Sequence, residues 1–150
     1  MTIFRIATDD GAPVAVPGCD GCVFIGSIGA AYEADVLRRL GITHVVCATD
    51  NARVLSAVPE MQLHCLRVSV DDRADCSIFP YFTLVKGFVD HARRGGGRVL
   101  VHCFQGVSRA TTLVCAYMLM SRYEVLRIIL ANEQTMANVT HSIIRSRQPA

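Results

Sequence analysis

Apolar positions along this chain come in short runs that alternate between a two-residue and a three-to-four-residue spacing, with turn-forming residues between them. Residues 3–7 and 22–25 are short strand-like runs. They are separated by a segment that holds Gly11, Pro13, Pro17, Gly18 and Gly21. Ser27 is placed to cap a helix over residues 29–40, with Val36, Leu37 and Leu40 on one face and Gly41 as its stop. A β-rich run over residues 43–48 follows at once. Residues 61–70 alternate, setting Leu63, Cys65 and Arg67 opposite His64, Leu66 and Val68, and predict a strand. Helical spacing returns over residues 77–94 through Phe79, Phe82, Val85, Val89 and Ala92, and ends at Gly95-Gly96-Gly97. A short apolar strand, RVLVH, covers residues 98–102. An apolar helix over residues 108–120 comes almost without a gap, and two further helical segments are expected near 124–130 and 140–147. Strands alternating with helices predict an α/β fold: a single central mixed, mostly parallel sheet of about five strands flanked by helices. No internal repeat or linker interrupts the pattern, so one domain over residues 1–150 is expected.

Composition narrows the function without naming it. The chain has 150 residues, 51% of them hydrophobic and 19% charged, which is globular rather than disordered. A net charge of +2 is too small to indicate nucleic acid, and the arginines are scattered rather than massed. No run reaches the roughly 18 apolar residues that cross a bilayer. The opening MTIFRIATDDGAP lacks a basic segment followed by an apolar core, and no lipidation motif is present, so neither a signal peptide nor a membrane anchor is expected. Seven cysteines, an odd count, sit mostly inside apolar runs. That suits free thiols in a reducing compartment, and a cytoplasmic or nuclear setting is the expectation. Cys19 and Cys22 form one CxxC. Zinc would want a second such pair or histidines at matching spacing, so a glycine-rich turn carrying two thiols is expected instead. His44, His64, His91 and His141 show no ligand spacing and are expected to be structural or surface residues.

In sheets of this class ligands sit at the carboxyl ends of strands. That directs attention to His102-Cys103-Phe104-Gln105-Gly106-Val107-Ser108-Arg109, between a buried strand and a helix. A loop curling from strand to helix aims successive backbone N–H groups into one concave nest, and the helix N-terminus adds partial positive charge. Gly106 allows the close approach such a loop demands. A phosphate or sulfate is the natural occupant. The same amides, with Arg109, favour the thiolate of Cys103, which is then placed for in-line attack on phosphorus. The planar fork of Arg109 can grip two equatorial oxygens. His102 is expected to fix the cysteine backbone rather than to act as a base. Ser108 is placed to bond inside the loop, to cap the following helix, or both. Bare spacing proves little, because Cys47 and Arg53 in CATDNAR are spaced alike; that copy lacks the preceding histidine, the glycine and a strong helix after it.

HCFQGVSR matches the HCxxGxxR signature of the cysteine-based phosphatases, and its SR ending is similar to the dual-specificity branch of that superfamily. CVFIGS, GITHVVCAT, the helix before RVLVHC and the AYML after it fall in the family's order, so the resemblance covers roughly residues 3–144. It implies the cysteine-phosphatase fold, a phosphocysteine intermediate, no metal or other cofactor, a phosphorylated protein as substrate, and a separate aspartate as general acid. The family's acid lies on a loop after a strand, some thirty residues before the nucleophile. Asp71, Asp72 and Asp75 stand there, and Asp72 fits best because Ile78 and Phe82 then occupy the family's apolar positions. Asp75 has a rival role as a helix cap.

Many family members carry Ser or Thr just after the arginine. Here Ala110 stands in that place, with Thr111 one position too far, which implies slow breakdown of the intermediate. Cys47 is a candidate for a reversible disulfide with Cys103. The uncharged loop residues Phe104, Gln105, Val107 and Ser108 point to a singly phosphorylated protein rather than a phosphoinositide, on phosphotyrosine and on phosphoserine or phosphothreonine. Two rivals are a phosphoprotein-binding pseudophosphatase, for which only Ala110 speaks, and a sulfurtransferase, whose loop usually runs one residue shorter. Oligomeric state has no sequence signal.

Overall fold

The computed structural model describes residues 11–49, 61–70, 76–105 and 108–146, with backbone alone for residues 132–146. The strand expected over residues 3–7 lies outside these, as do Asp71, Asp72, Asp75, Gly106, Val107 and Arg53.

The described chain divides into two compact units, Met1–Tyr117 and Met118–Ala150. The first holds a five-stranded sheet in the order β1-β2-β5-β3-β4. Its strands are β1 (Val14–Ala15), β2 (Val23–Gly26), β3 (His44–Cys47), β4 (His64–Arg67) and β5 (Val99–His102). β2, β5, β3 and β4 run parallel, and β1 alone pairs antiparallel, at the edge. The sheet is therefore mixed and mostly parallel, as the alternation of elements predicts. β1 carries too short a run to register as a strand in sequence; its two residues pair with Ile25 and Phe24 across a hairpin. β2 and β5 are buried along their whole length, which is what a parallel sheet covered on both faces requires.

Three helices follow the strands among the described residues: α1 (Ala34–Leu40), α2 (Phe82–Arg94) and α3 (Arg109–Ser146). The helix expected over residues 29–40 is in two pieces, a 3-10 turn at Ala30–Tyr32 and then α1, because Glu33 between them leaves helical geometry (φ −83°, ψ 82°). Gly29 rather than Ser27 stands at the cap position of the first piece, though Ser27 Oγ, two residues earlier, accepts from the Ala30 amide at 3.4 Å. Gly41 ends α1 as expected. At φ 67° it lets its own amide reach the Arg38 carbonyl and the Ile42 amide reach the Leu37 carbonyl. Those are the paired bonds of a Schellman motif, which also brings Ile42 against Leu37 in one cluster with Phe24, Val45, Cys47 and Leu100.

Helical spacing over residues 77–94 places Val85, Val89 and Ala92 in the core, but Phe79 is 73% exposed. Pro80 holds Phe79–Tyr81 in a 3-10 turn, so α2 begins only at Phe82 and Phe79 is off its inner face. The three segments expected after residue 108 form instead one helix, α3. No glycine or proline occurs between residues 109 and 146, so nothing in the chain ends it earlier. In the second unit, Leu119, Tyr123, Val125, Leu126, Ile128, Ile129 and Leu130 of this helix are exposed. No helix among the described residues is long and apolar enough to cross a membrane.

Candidate functional site

Register brings four strand ends into one row. Gly26 of β2 pairs with His102 of β5, His102 with Cys47 of β3, and Cys47 with Arg67 of β4. The loops that leave these residues all depart from the carboxyl edge of the sheet, where such folds bind ligands. Backbone bonds tie the loops together. The Ile28 amide donates to the Phe104 carbonyl at 3.0 Å, the Ala48 amide to the His102 carbonyl at 2.8 Å, and the Val68 amide to the Cys47 carbonyl at 2.9 Å.

Cys103 is the first residue after β5, in no disulfide and only 2% exposed, and α3 begins at Arg109. Cys103, Phe104, Gln105 and Ser108 thus stand between a buried strand and a helix, the setting that the sequence predicts for them. Phe104 is 61% exposed, and Gln105 and Ser108 also face solvent. Ser108 occupies the N-cap position, its carbonyl accepting from the Thr112 amide at 3.0 Å and from Thr112 Oγ1 at 2.9 Å.

Arg109 is half-buried and turns back toward the sheet edge. Its Nη1 donates to the Val70 carbonyl at 3.0 Å, on the segment that leads into Asp71 and Asp72. Its Nε is buried and has no hydrogen-bond partner among the described residues. A buried guanidinium N–H costs free energy unless an acceptor meets it, so the group is set to receive one.

His102 is fully buried beneath the loop. Burial pushes its imidazole down to about 4, with a weaker opposing pull from a hydrogen-bonding contact to the Cys103 backbone. Neither ring nitrogen makes a well-formed hydrogen bond among the described residues, and burial keeps the ring neutral at pH 7. Cys47 lies in register with His102 rather than with Cys103, and its thiol reaches toward Thr49, 3.9 Å from the carbonyl and 3.8 Å from Oγ1. Ala110 is fully buried, and the hydroxyl of Thr111 beside it is buried without a partner among the described residues.

The fold therefore brings His102, Cys103, Arg109 and the stem of the aspartate loop to one edge. Sequence reading missed the acceptor that positions Arg109 and the Ile28 amide that holds the Phe104 carbonyl. Both are backbone groups, and backbone groups leave no mark in side-chain identity.

This arrangement is that of a recognised family. Residues 23–148 match the family model for the dual specificity phosphatase catalytic domain, and the chain belongs to that family. It is 34% identical over 119 residues to dual specificity protein phosphatase 1 of Arabidopsis thaliana, covering 79% of this chain and 57% of that one. It is 33% identical over 110 residues to dual specificity protein phosphatase 15 of Mus musculus, covering 73% of this chain and 43% of that one. The chain thus spans about half the length of these curated relatives. Among solved structures, that of DUSP15 superposes with a TM-score of 0.65 at 29% identity, covering 83% of this chain and 78% of the other. The human tyrosine phosphatase-like serine/threonine/tyrosine-interacting protein gives 0.61 at 30% identity, covering 72% of each. The mixed five-stranded sheet is accordingly the cysteine-phosphatase fold.

Proposed function

We propose that this chain is one catalytic domain that hydrolyses phosphotyrosine, and phosphoserine or phosphothreonine, on protein substrates without a metal. Cys103 attacks phosphorus as the thiolate; the S–P bond forms as the P–O bond to the substrate oxygen breaks. Asp72 gives that oxygen its proton, so the product leaves as a neutral alcohol or phenol. A water then attacks phosphocysteine, giving a proton to the Asp72 carboxylate and returning the thiolate with free phosphate. The amides of residues 103–109 and the fork of Arg109 hold the equatorial oxygens through both steps. Neutral His102 positions the Cys103 backbone. Phe104, Gln105, Gly106, Val107 and Ser108 form the wall that the phosphate-bearing side chain meets, and the exposure of Phe104 and Gln105 favours a shallow cleft open to short side chains. A cytoplasmic or nuclear setting, where thiols stay reduced, is part of the same proposal.

The observation that carries this reading is the buried Nε of Arg109, without a partner among the described residues, six positions after Cys103 in a chain of the dual specificity phosphatase family. The test is phosphate release from phosphotyrosine and phosphothreonine peptides in the presence of a chelator, beside Cys103→Ser. Chelator-resistant release from both peptides that the substitution abolishes is the expected result, and turnover retained by Cys103→Ser would falsify it. A second reading, a phosphoprotein-binding domain with little turnover, draws on the buried Ala110 in place of a hydroxyl residue. It predicts tight phosphopeptide binding with no release from either peptide.

A further inference from the structure

Away from the carboxyl edge, reactive groups gather at the tip of the β1–β2 hairpin, where the CxxC lies. Cys19-Asp20-Gly21-Cys22 is a tight turn: the Cys22 amide donates to the Cys19 carbonyl at 2.9 Å, and Asp20 and Gly21 have φ of 52° and 67°. Two successive positive φ values are the pattern of a type I′ turn, in which the first and fourth α-carbons lie within about 7 Å. A disulfide spans roughly 4.4–6.8 Å between α-carbons, so the turn already holds its two cysteines near bonding range.

The turn is held from outside as well. Asp20 is the one non-glycine residue with positive φ among those described. Its carboxylate accepts from Arg93 Nη2 at 3.1 Å, and Arg93 Nη1 donates to the Tyr117 hydroxyl at 2.7 Å. That hydroxyl donates to Asp90 Oδ1 at 3.1 Å, and Asp90 pairs with Lys86. An open cleft of about 450 Å³ lies here, lined by Asp20, Cys22, Asp90, Arg93 and Arg94.

The two thiols are unequal. Cys19 is 2% exposed, and burial pushes its thiol up while Arg93 pulls it the other way. Cys22 is half-buried, is close enough to Cys19 to act on it electrostatically, and lines the cleft with Arg93 and Arg94 and with the carboxylates of Asp20 and Asp90. A partly exposed sulfur on a cleft wall, with a buried partner across one turn, is the arrangement of an attacking and a resolving thiol.

We propose that Cys19 and Cys22 form a dithiol modification site, closing to a disulfide within the turn by exchange with a low-molecular-weight disulfide that bears carboxylates. The Cys22 thiolate attacks one sulfur of that disulfide, forming a mixed disulfide and releasing one thiolate, which takes up a proton. The Cys19 thiol then loses its proton to solvent and attacks the Cys22 sulfur, forming Cys19–Cys22 and expelling the second small thiolate. Two protein thiols are oxidised and one small disulfide is reduced to two thiols. Both Nη atoms of Arg93 already bond Tyr117 and Asp20, so Arg94, on the same cleft wall, offers a carboxylate of the incoming molecule its guanidinium fork. The site is independent of the phosphatase reading.

The test uses the full chain incubated with glutathione disulfide, quenched in acid, alkylated and digested with trypsin. The peptide over residues 6–38 contains Cys19 and Cys22 and no other cysteine. In the wild type it is expected lighter by two hydrogens and unalkylated. Cys19→Ser is expected to stop at glutathione carried on Cys22, and Cys22→Ser to leave Cys19 unmodified. Closure is expected several-fold faster with glutathione disulfide than with cystamine, which carries amines in place of carboxylates. A wild-type peptide with both thiols alkylated, or with Cys19 joined to another peptide, overturns the site; equal rates with the two disulfides overturn the role of the cleft.

Discussion

Arg109 Nη1 donates a 3.0 Å hydrogen bond to the carbonyl of Val70, which stands immediately before the aspartate loop. One arm of the guanidinium is thus committed to protein, while the buried Nε has no partner among the described residues. The planar fork can hold the loop stem and an oxyanion at once because its donors diverge from a rigid plane. An ammonium has one centre and cannot serve two acceptors in those directions.

Arg109→Lys therefore keeps the charge and loses both tasks. The expected result is a fall of roughly 100- to 1,000-fold in kcat/KM for an aryl phosphate, the range for losing one preorganised donor. Steady-state hydrolysis checks it, and a loss under threefold would show that charge alone suffices.

Asp72→Asn separates the general acid from its neighbours. An alkoxide needs a proton to depart and an activated phenoxide does not. The substitution is expected to slow a simple alkyl phosphate by roughly 100-fold or more and to spare an activated aryl phosphate during the first step. Single-turnover rates on both substrates decide it. If Asp71→Asn shows that discrimination and Asp72→Asn does not, the role moves one residue.

The main course of the sheet was legible in sequence because each buried strand carries its own signature. RVLVH is apolar at its three central positions, and ITHVVCAT follows Gly41, which ends a helix. The loop between β5 and α3 could be singled out in sequence for a similar reason: the chemistry proposed for it lies in residue types at fixed spacing. What was not legible depends on partners distant in sequence. Val14 and Ala15 are strand residues only because Ile25 and Phe24 accept them as neighbours. Phe79 fits the helical spacing of α2 yet is left outside it by Pro80. The Val70 carbonyl has no identity that spacing could reveal.

Buried His102 makes stability depend on acid. Its folded value of about 4 lies below the ordinary 6.5, so the unfolded chain binds the proton more readily. The stabilisation is complete above pH 6.5 and is lost as pH falls toward 4, by about 3 kcal/mol over that window. His44 shifts in the same direction through burial and the nearby His64, so the comparison has to be made against a variant. His102→Gln is expected to flatten the fall in unfolding free energy between pH 7 and pH 4.5, measured by urea denaturation. An unchanged slope would mean that the ring gains its proton without opening the fold.

Ala110→Ser restores the hydroxyl that many family members carry after the arginine. Ala110 is fully buried next to the loop, so the new oxygen must bond locally, and the departing thiolate is the acceptor that the proposed chemistry offers. Breakdown of phosphocysteine is expected to quicken several-fold, with a smaller phosphorylated fraction in intact-protein mass spectra during turnover. The parent showing no phosphorylated fraction at all would remove the premise.

Gly97 reads in sequence as one of three glycines that stop a helix, but the fold uses it for close approach. A methyl group there would sit 2.6 Å from Thr43 Oγ1 and 3.0 Å from the Ala92 carbonyl. Both neighbours are committed: Thr43 Oγ1 accepts from the Arg98 amide at 3.0 Å, and the Ala92 carbonyl accepts from the Gly97 amide at 2.8 Å. Moving either loosens the entry to β5, the strand that leads into Cys103. Gly97→Ala is therefore expected to cost about 1–3 kcal/mol. Gly87, inside α2, is the opposite case, because an added methyl meets nothing within 4 Å and glycine in a helix interior is itself unfavourable. Gly87→Ala is expected to stabilise by about 0.5–1 kcal/mol. Urea midpoints should move in opposite directions for the two substitutions. If Gly97→Ala matches or exceeds the parent, the space beside Thr43 is larger than its packing implies.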